Sequence, residues 1–416
     1  MKKGVSMKLH NYGMALVALL GVAIIDCKAQ EPEVAARAAT VKSATSVVGW
    51  RTDGTGEYPD ANAVTTFSEA DNVVWKTPLP ATSNATPVIT GNRIFVCSEP
   101  TTLICVDKDS GAILWQKTNN YGEVEGADGN FPQTHSHNGQ SSPTPVTDGQ
   151  RVYVLFGTGV VACYDLDGNR QWATFLEKST DGWGHSASPV LSGDTLIVHI
   201  LSVAGLDSGS GKVKWRTPAS PKWGSPALAN IGGQDVVITP RSGDVIRVSD
   251  GKKLASGIAR LDYATPVVDG DIVYFIEKIA RKVRLRPDGD GVKAETLWTT
   301  KIKGSRHYSS AVVDNGLIYA ASREGHFAVI DDATGDVFLQ ESLNISAGKN
   351  VVYSSLVLGG KYLYIGSVDG VTVVLEPGRA FQEVARNTIE GYRSTPVFDG
   401  DRMYVRTFRH LYCIGN

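Results

Sequence analysis

Apolar and polar residues alternate along this chain in short runs, and the runs recur as one phrase. The phrase opens on a small residue, usually followed by proline and then an apolar residue. It passes through a Gly or Asp-Gly turn and ends in an alternating strand. Thr86-Pro87-Val88 runs on to Val96, Thr144-Pro145-Val146 to Val154, and Ser188-Pro189-Val190 to Val198. Ser225-Pro226-Ala227, Thr265-Pro266-Val267, Ser310-Ala311-Val312, Ser355-Leu356-Val357 and Thr395-Pro396-Val397 complete a set of eight. Period-two patterning that returns about every 40 residues predicts one four-stranded sheet per repeat, arranged as the blades of a propeller. The expected fold is all-β: an eight-bladed β-propeller of four-stranded antiparallel blades.

Each repeat also carries a turn and a large side chain. The strand Leu103-Ile104-Cys105-Val106 ends at Asp107 and is followed by Gly111 and Trp115. The same order reads Asp165, Gly168, Trp172 and then Asp207, Gly211, Trp215. The aspartate opens the turn by accepting backbone N–H bonds, and the glycine takes a positive φ. Tryptophan on the outermost strand suits the wedge between neighbouring blades. Leu254, Trp298, Leu339 and Val384 are expected in its place in later copies.

The last repeat has Met403-Tyr404-Val405 and Leu411-Tyr412-Cys413-Ile414 but no outer strand. The first strand, residues 72–77, carries Trp75 and has no blade before it. The N-terminal strand should therefore complete the C-terminal blade, which removes two open sheet edges. Residues 71–416 would form this ring, expected to be monomeric.

Ahead of the ring, lysines precede an apolar run over residues 14–25, which predicts a signal peptide over residues 1–29. The run is short for a membrane span. The competing reading is lipidation of Cys27, although Ile25 and Asp26 stand where small residues usually precede a lipidated cysteine. Residues 30–70 form a leader expected to pack on or near the ring, with Trp50-Arg51 and Gly54-Thr55-Gly56 as its contacts. The expected location is exported: periplasmic or associated with the cell envelope, with secretion left open. Membrane contact would come only by association or through a lipid anchor.

Forty-four glycines and 18 prolines suit many tight turns. A formal net charge of −2 offers no basic footprint for nucleic acid. Cys105, Cys163 and Cys413 share one place in the repeat and read as small buried side chains between blades. A disulfide between Cys97 and Cys105, facing across a hairpin, stays open for an exported protein.

The turn Asp-x-x-x-Gly-x-x-x-Trp, as in Asp107…Gly111…Trp115 and Asp207…Gly211…Trp215, joins with the small-Pro-Val strands in a repeat that covers residues 71–416. This repeat resembles that of the pyrroloquinoline-quinone (PQQ)-like β-propellers. One branch of that family is the quinoprotein dehydrogenases, which bind PQQ and calcium on the propeller axis. The other is non-catalytic and includes the BamB-type outer-membrane assembly factors, which scaffold a β-barrel insertion machine. The dehydrogenase branch implies an adjacent Cys-Cys pair and a carboxylate and amide cluster for a hard cation. This sequence has no adjacent cysteines and no motif that matches such a cluster. The resemblance thus implies an exported, non-catalytic binding or scaffold module with no cofactor expected. The alternative is a PQQ- and calcium-dependent dehydrogenase, or a metal-dependent enzyme, working at the axial face.

In a propeller, the loops that enter the innermost strands surround one end of the axis. Trp223, Tyr263, Tyr308, Tyr353 and Arg393 occupy equivalent places in those loops. His185, His307 and Tyr392 stand one place earlier, and Trp183 lies in the same loop as His185. These nine residues are expected to ring the opening and hold a protein partner or a small ligand. Packing between blades is the alternative for each. His135, His137 and His185 are the candidates for a metal site; hydrogen bonding that pins the long insertion between Lys117 and Ser142 is the alternative.

Overall fold

A computed structural model describes residues 48–127, 130–346, 348 and 351–416. The signal segment 1–29 with Cys27, and residues 30–47 of the leader, lie outside the described residues. The chain forms eight radial sheets. Their innermost strands include Val88–Thr90, Val146–Thr147, Val190–Ser192 and Ala227–Ile231, and each blade then proceeds outward by antiparallel pairing. Among the described residues the only helical element is a 3-10 turn, Tyr121–Glu123.

The ring closes as the pattern requires. Val73–Pro78 pairs antiparallel with His410–Ile414, with Trp75 opposite Cys413 and Lys76 opposite Tyr412. The core lies between blades: Val146, Tyr153 and Leu155 of one sheet pack with Leu191, Leu196 and Val198 of the next. Alternation supplies this, because each strand turns one face to each neighbouring blade.

The tryptophans bridge blades in a fixed way. Trp75, Trp115, Trp172, Trp215 and Trp298 each donate their indole N–H to a carbonyl in the next blade's turn, at 2.7–3.2 Å. Their rings lie over the turn glycines of that blade: Gly111, Gly168, Gly211, Gly251 and Gly335. The register corrects two sequence expectations. Every outer pairing contains a bulge, which shifts the side chains by one. Ala255 and Ala385, not Leu254 and Val384, therefore occupy the tryptophan's place.

Cys105, Cys163 and Cys413 are the residues directly opposite Trp115, Trp172 and Trp75; Gly205 and Lys282 hold the same place opposite Trp215 and Trp298. All four described cysteines are free and buried. Cys97 pairs with Leu103, while Cys105 pairs with Phe95, so the hairpin does not set the two sulfurs opposite each other.

A belt of hydrogen bonds runs around the axis. The backbone N–H of Thr86 donates to Thr144 Oγ1, Thr144 to Ser188, Ser188 to Ser225, and Ser225 to Thr265. Thr265 donates to Ser310, Ser310 to Ser355, Ser355 to Thr395, and Thr395 back to Thr86. All eight distances are 2.9–3.1 Å. The small first residue of the repeat is thus Ser or Thr because its hydroxyl satisfies a backbone N–H of the preceding blade.

Residues 48–58 fill the axial channel. Val48 bridges Thr147 on the second blade's inner strand, and Glu57–Tyr58 adds a parallel fifth strand to Val357–Gly359 of the seventh. Between them Arg51 is fully buried. Its Nη2 donates to the carbonyls of Ala311 (2.7 Å) and Leu356 (2.9 Å). Gly56 makes room, since a Cβ there would stand 2.3 Å from the guanidinium. These contacts satisfy inner-strand edges that face the axis.

Candidate functional site

The face where the inner strands begin holds a chamber of about 500 Å³. Seven of the eight belt residues and Trp50 line its floor. One wall is a ladder of rings and cations. Lys222 Nζ lies 4.2 Å from the Trp223 ring centre, Trp223 stacks on Tyr263 at 5.2 Å, and Tyr263 meets Tyr308 edge-on at 4.8 Å. Tyr308 stacks on Tyr353 at 4.7 Å, and the Arg393 guanidinium covers Tyr353 at 4.9 Å. Repetition builds the ladder: equivalent places in successive blades fall side by side around the axis.

The other wall comes from the insertion after the first blade. Glu99 anchors it, accepting the backbone N–H groups of Gln140 and Ser141 at 2.8 Å. Asn84 and Arg393 both donate to the His137 carbonyl, at 2.7 and 2.8 Å. His135 and His137 bring their Nδ1 atoms to 3.0 Å, and His135 stacks on Trp183 at 4.2 Å. Burial, Arg393 and His135 all hold the His137 pKa below the usual imidazole value. The two imidazoles form a structural pair beside Trp183, whose carbonyl accepts from Asn138 at 2.7 Å.

Of the nine candidate residues, Trp183, Trp223, Tyr263, Tyr308, Tyr353 and Arg393 line the chamber. His185, His307 and Tyr392 do not; they are buried behind it. Successive side chains of an extended segment point to opposite sides, so the place before a chamber residue faces the blades. Burial lowers the pKa of His185 and of His307 to about 4. The three-histidine metal arrangement is not formed either: His185 bonds the Ala187 carbonyl, away from His135 and His137. Among the described residues no group of three His, Cys, Asp or Glu is placed to hold a metal ion.

Sequence reading missed Arg306 and Arg323, which also line the chamber, and expected Trp50 against the ring but not in this lining. None occupies a repeated place of the motif, so periodicity carried no signal for them. The chamber has three arginines and no carboxylate in its lining. That donor set does not fit calcium, which needs several anionic or carbonyl oxygens.

Comparison with known proteins agrees with this geometry. A family model described as outer membrane protein assembly factor BamB matches residues 60–288 and 202–415. The chain belongs to that family. A BamB of Moranella endobia (strain PCIT) is 23% identical over 347 residues, covering 78% of this chain and 83% of its own. The crystal structure of BamB from Moraxella catarrhalis superposes with a TM-score of 0.60 at 15% identity, covering 82% of this chain and 97% of that one. Quinohemoprotein alcohol dehydrogenase from Comamonas testosteroni superposes equally well, at 0.60 and 12% identity, over 88% of this chain and 80% of its own. At such identities the likeness to solved structures establishes the fold alone.

Proposed function

We propose that this chain is an exported, non-catalytic propeller of the cell envelope, a scaffold that binds a protein partner in outer-membrane protein assembly through the chamber face. Membership of the BamB family supports the process. The observation that carries the binding surface is Trp183. It is 53% exposed although it is a large aromatic, and it is held rigid by His135 beneath and Asn138 at its backbone. A preorganised, water-exposed aromatic at a rim is the kind of side chain that dominates protein interfaces. Phe131, on the same insertion, is 40% exposed.

The test is site-specific photocrosslinking in the native host, with the reactive residue at position 183 and a control at Lys361. Adducts with components of the outer-membrane assembly machinery at 183 alone are expected. Trp183→Ala should weaken co-purification of that partner at least tenfold with an unchanged melting temperature. Adducts at neither position, or unchanged co-purification, reject this surface.

A further inference from the structure

The chamber has a chemistry of its own, separate from partner capture at its rim. Each belt hydroxyl accepts a backbone N–H on one of its two lone pairs, and its one proton stays free to donate. Those protons have no acceptor among the described residues. Accepting one bond also polarises a hydroxyl toward donating another. The floor is therefore a ring of convergent donors.

The walls have the same sign. Ring faces carry negative potential and ring edges positive. In the ladder the faces are covered by neighbouring rings or by Lys222, Arg306 and Arg393. What remains toward the chamber are edges and tyrosine hydroxyls. Arg306 and Arg323 project beside Tyr308, and no acidic side chain lines the space. Below the floor lies the buried cation of Arg51, bonded to carbonyls. With the ladder faces covered, a flat apolar ligand could stack only outside the ladder, on Trp183 at the rim or Trp50. An oxygen-rich anion meets the belt hydroxyls at the floor and Arg306 and Arg323 at the wall, Arg323 being also paired with Glu324 at 3.1 Å.

We infer that the chamber binds a small, multiply charged oxyanion, a polycarboxylate or a phosphate, seated on the belt hydroxyls and held by Arg306 and Arg323. Its volume of about 500 Å³ accommodates a molecule of that size with some water.

The test is isothermal titration of the purified full chain at low ionic strength with citrate and with inorganic phosphate, each against a sodium chloride blank of equal ionic strength. One site per chain is expected, and whichever anion binds more tightly identifies the chemical source. Arg306→Gln/Arg323→Gln should weaken binding at least tenfold, while Lys301→Gln/Lys361→Gln, which removes two charges elsewhere, leaves it unchanged. Arg306 is exposed, so Arg306→Gln alone keeps the fold and should weaken binding at least threefold. Absence of binding beyond the blank, equal loss in both double variants, or binding of an acidic peptide but of neither small anion overturns the proposal. The titration needs no partner, so its failure leaves the scaffold reading standing, and the converse holds.

Discussion

The indole of Trp75 lies across Gly111, so that a Cβ on this glycine would stand 2.6 Å from the ring. Trp75 belongs to the strand that seals the ring and Gly111 to the first blade's turn. Gly111 also has φ +72°. Gly111→Ala should cost about 2–4 kcal/mol, combining left-handed strain with displacement of the indole. Gly270→Ala is the control: φ there is +60°, with nothing within 4 Å, and only the strain of about 1 kcal/mol remains. Denaturant melts of both variants should separate the two contributions, and equal losses would refute the wedge.

Arg51 binds carbonyls of the sixth and seventh blades from inside the channel. Its burial brings the guanidinium pKa down to about 10, still well above neutrality, so the group stays charged. Arg51→Ala leaves both carbonyls buried without a donor, and the expected loss is about 3 kcal/mol. Gly56→Ala should act in the same direction, because its methyl group would enter the guanidinium. A change below about 0.5 kcal/mol in Arg51→Ala would mean that the channel segment contributes nothing to the fold.

Three histidines make the ring sensitive to acid. Burial holds His185, His199 and His307 at about 4 in the fold. In the unfolded chain they titrate near 6.5. The unfolded state therefore binds more protons between these values, and stability falls as pH drops from about 6.5 toward 4. The loss from pH 7 to pH 5 is about 2 kcal/mol per histidine. His199→Phe should flatten the profile by about one third of the total, measured as melting temperature against pH.

The four cysteines described here should be silent to thiol reagents in the folded protein. Burial pushes the Cys105 thiol up to about 11 and Cys163 to about 12, and Cys97 and Cys413 shift in the same direction. A buried thiol with no thiolate fraction does not react. Peptide mapping after alkylation should find them unmodified in buffer and modified in denaturant, with no Cys97–Cys105 disulfide.

Much of this architecture can be read along the chain because it repeats. Eight copies of the small-residue phrase, six of them with proline, set the blade count, and the unpartnered Trp75 strand set the closure. The tyrosine ladder was legible for the same reason. What periodicity does not carry was lost. Trp50 and Arg51 were expected against the ring, but they belong to no repeat, so nothing in the pattern pointed to the axial channel. Leu254 and Val384 were one residue from the tryptophan's true position because a bulge leaves no mark in composition. His185, His307 and Tyr392 sat one place from chamber residues, and one place reverses a side chain in extended backbone. The belt hydroxyls were visible as small residues, yet their partners lie in neighbouring blades.

Thr86 and Thr395 complete the belt although 309 residues separate them. A ribosome adding about 5–20 residues per second leaves the first of them waiting roughly 15–60 s for the second. Throughout that interval the nascent Trp75 strand has no partner of its own. Where two unfinished copies meet, the corresponding strand of the neighbour is chemically identical, and strand exchange between two chains competes with closure of one. Arrival of the eighth blade decides whether the product is one ring or two entangled ones.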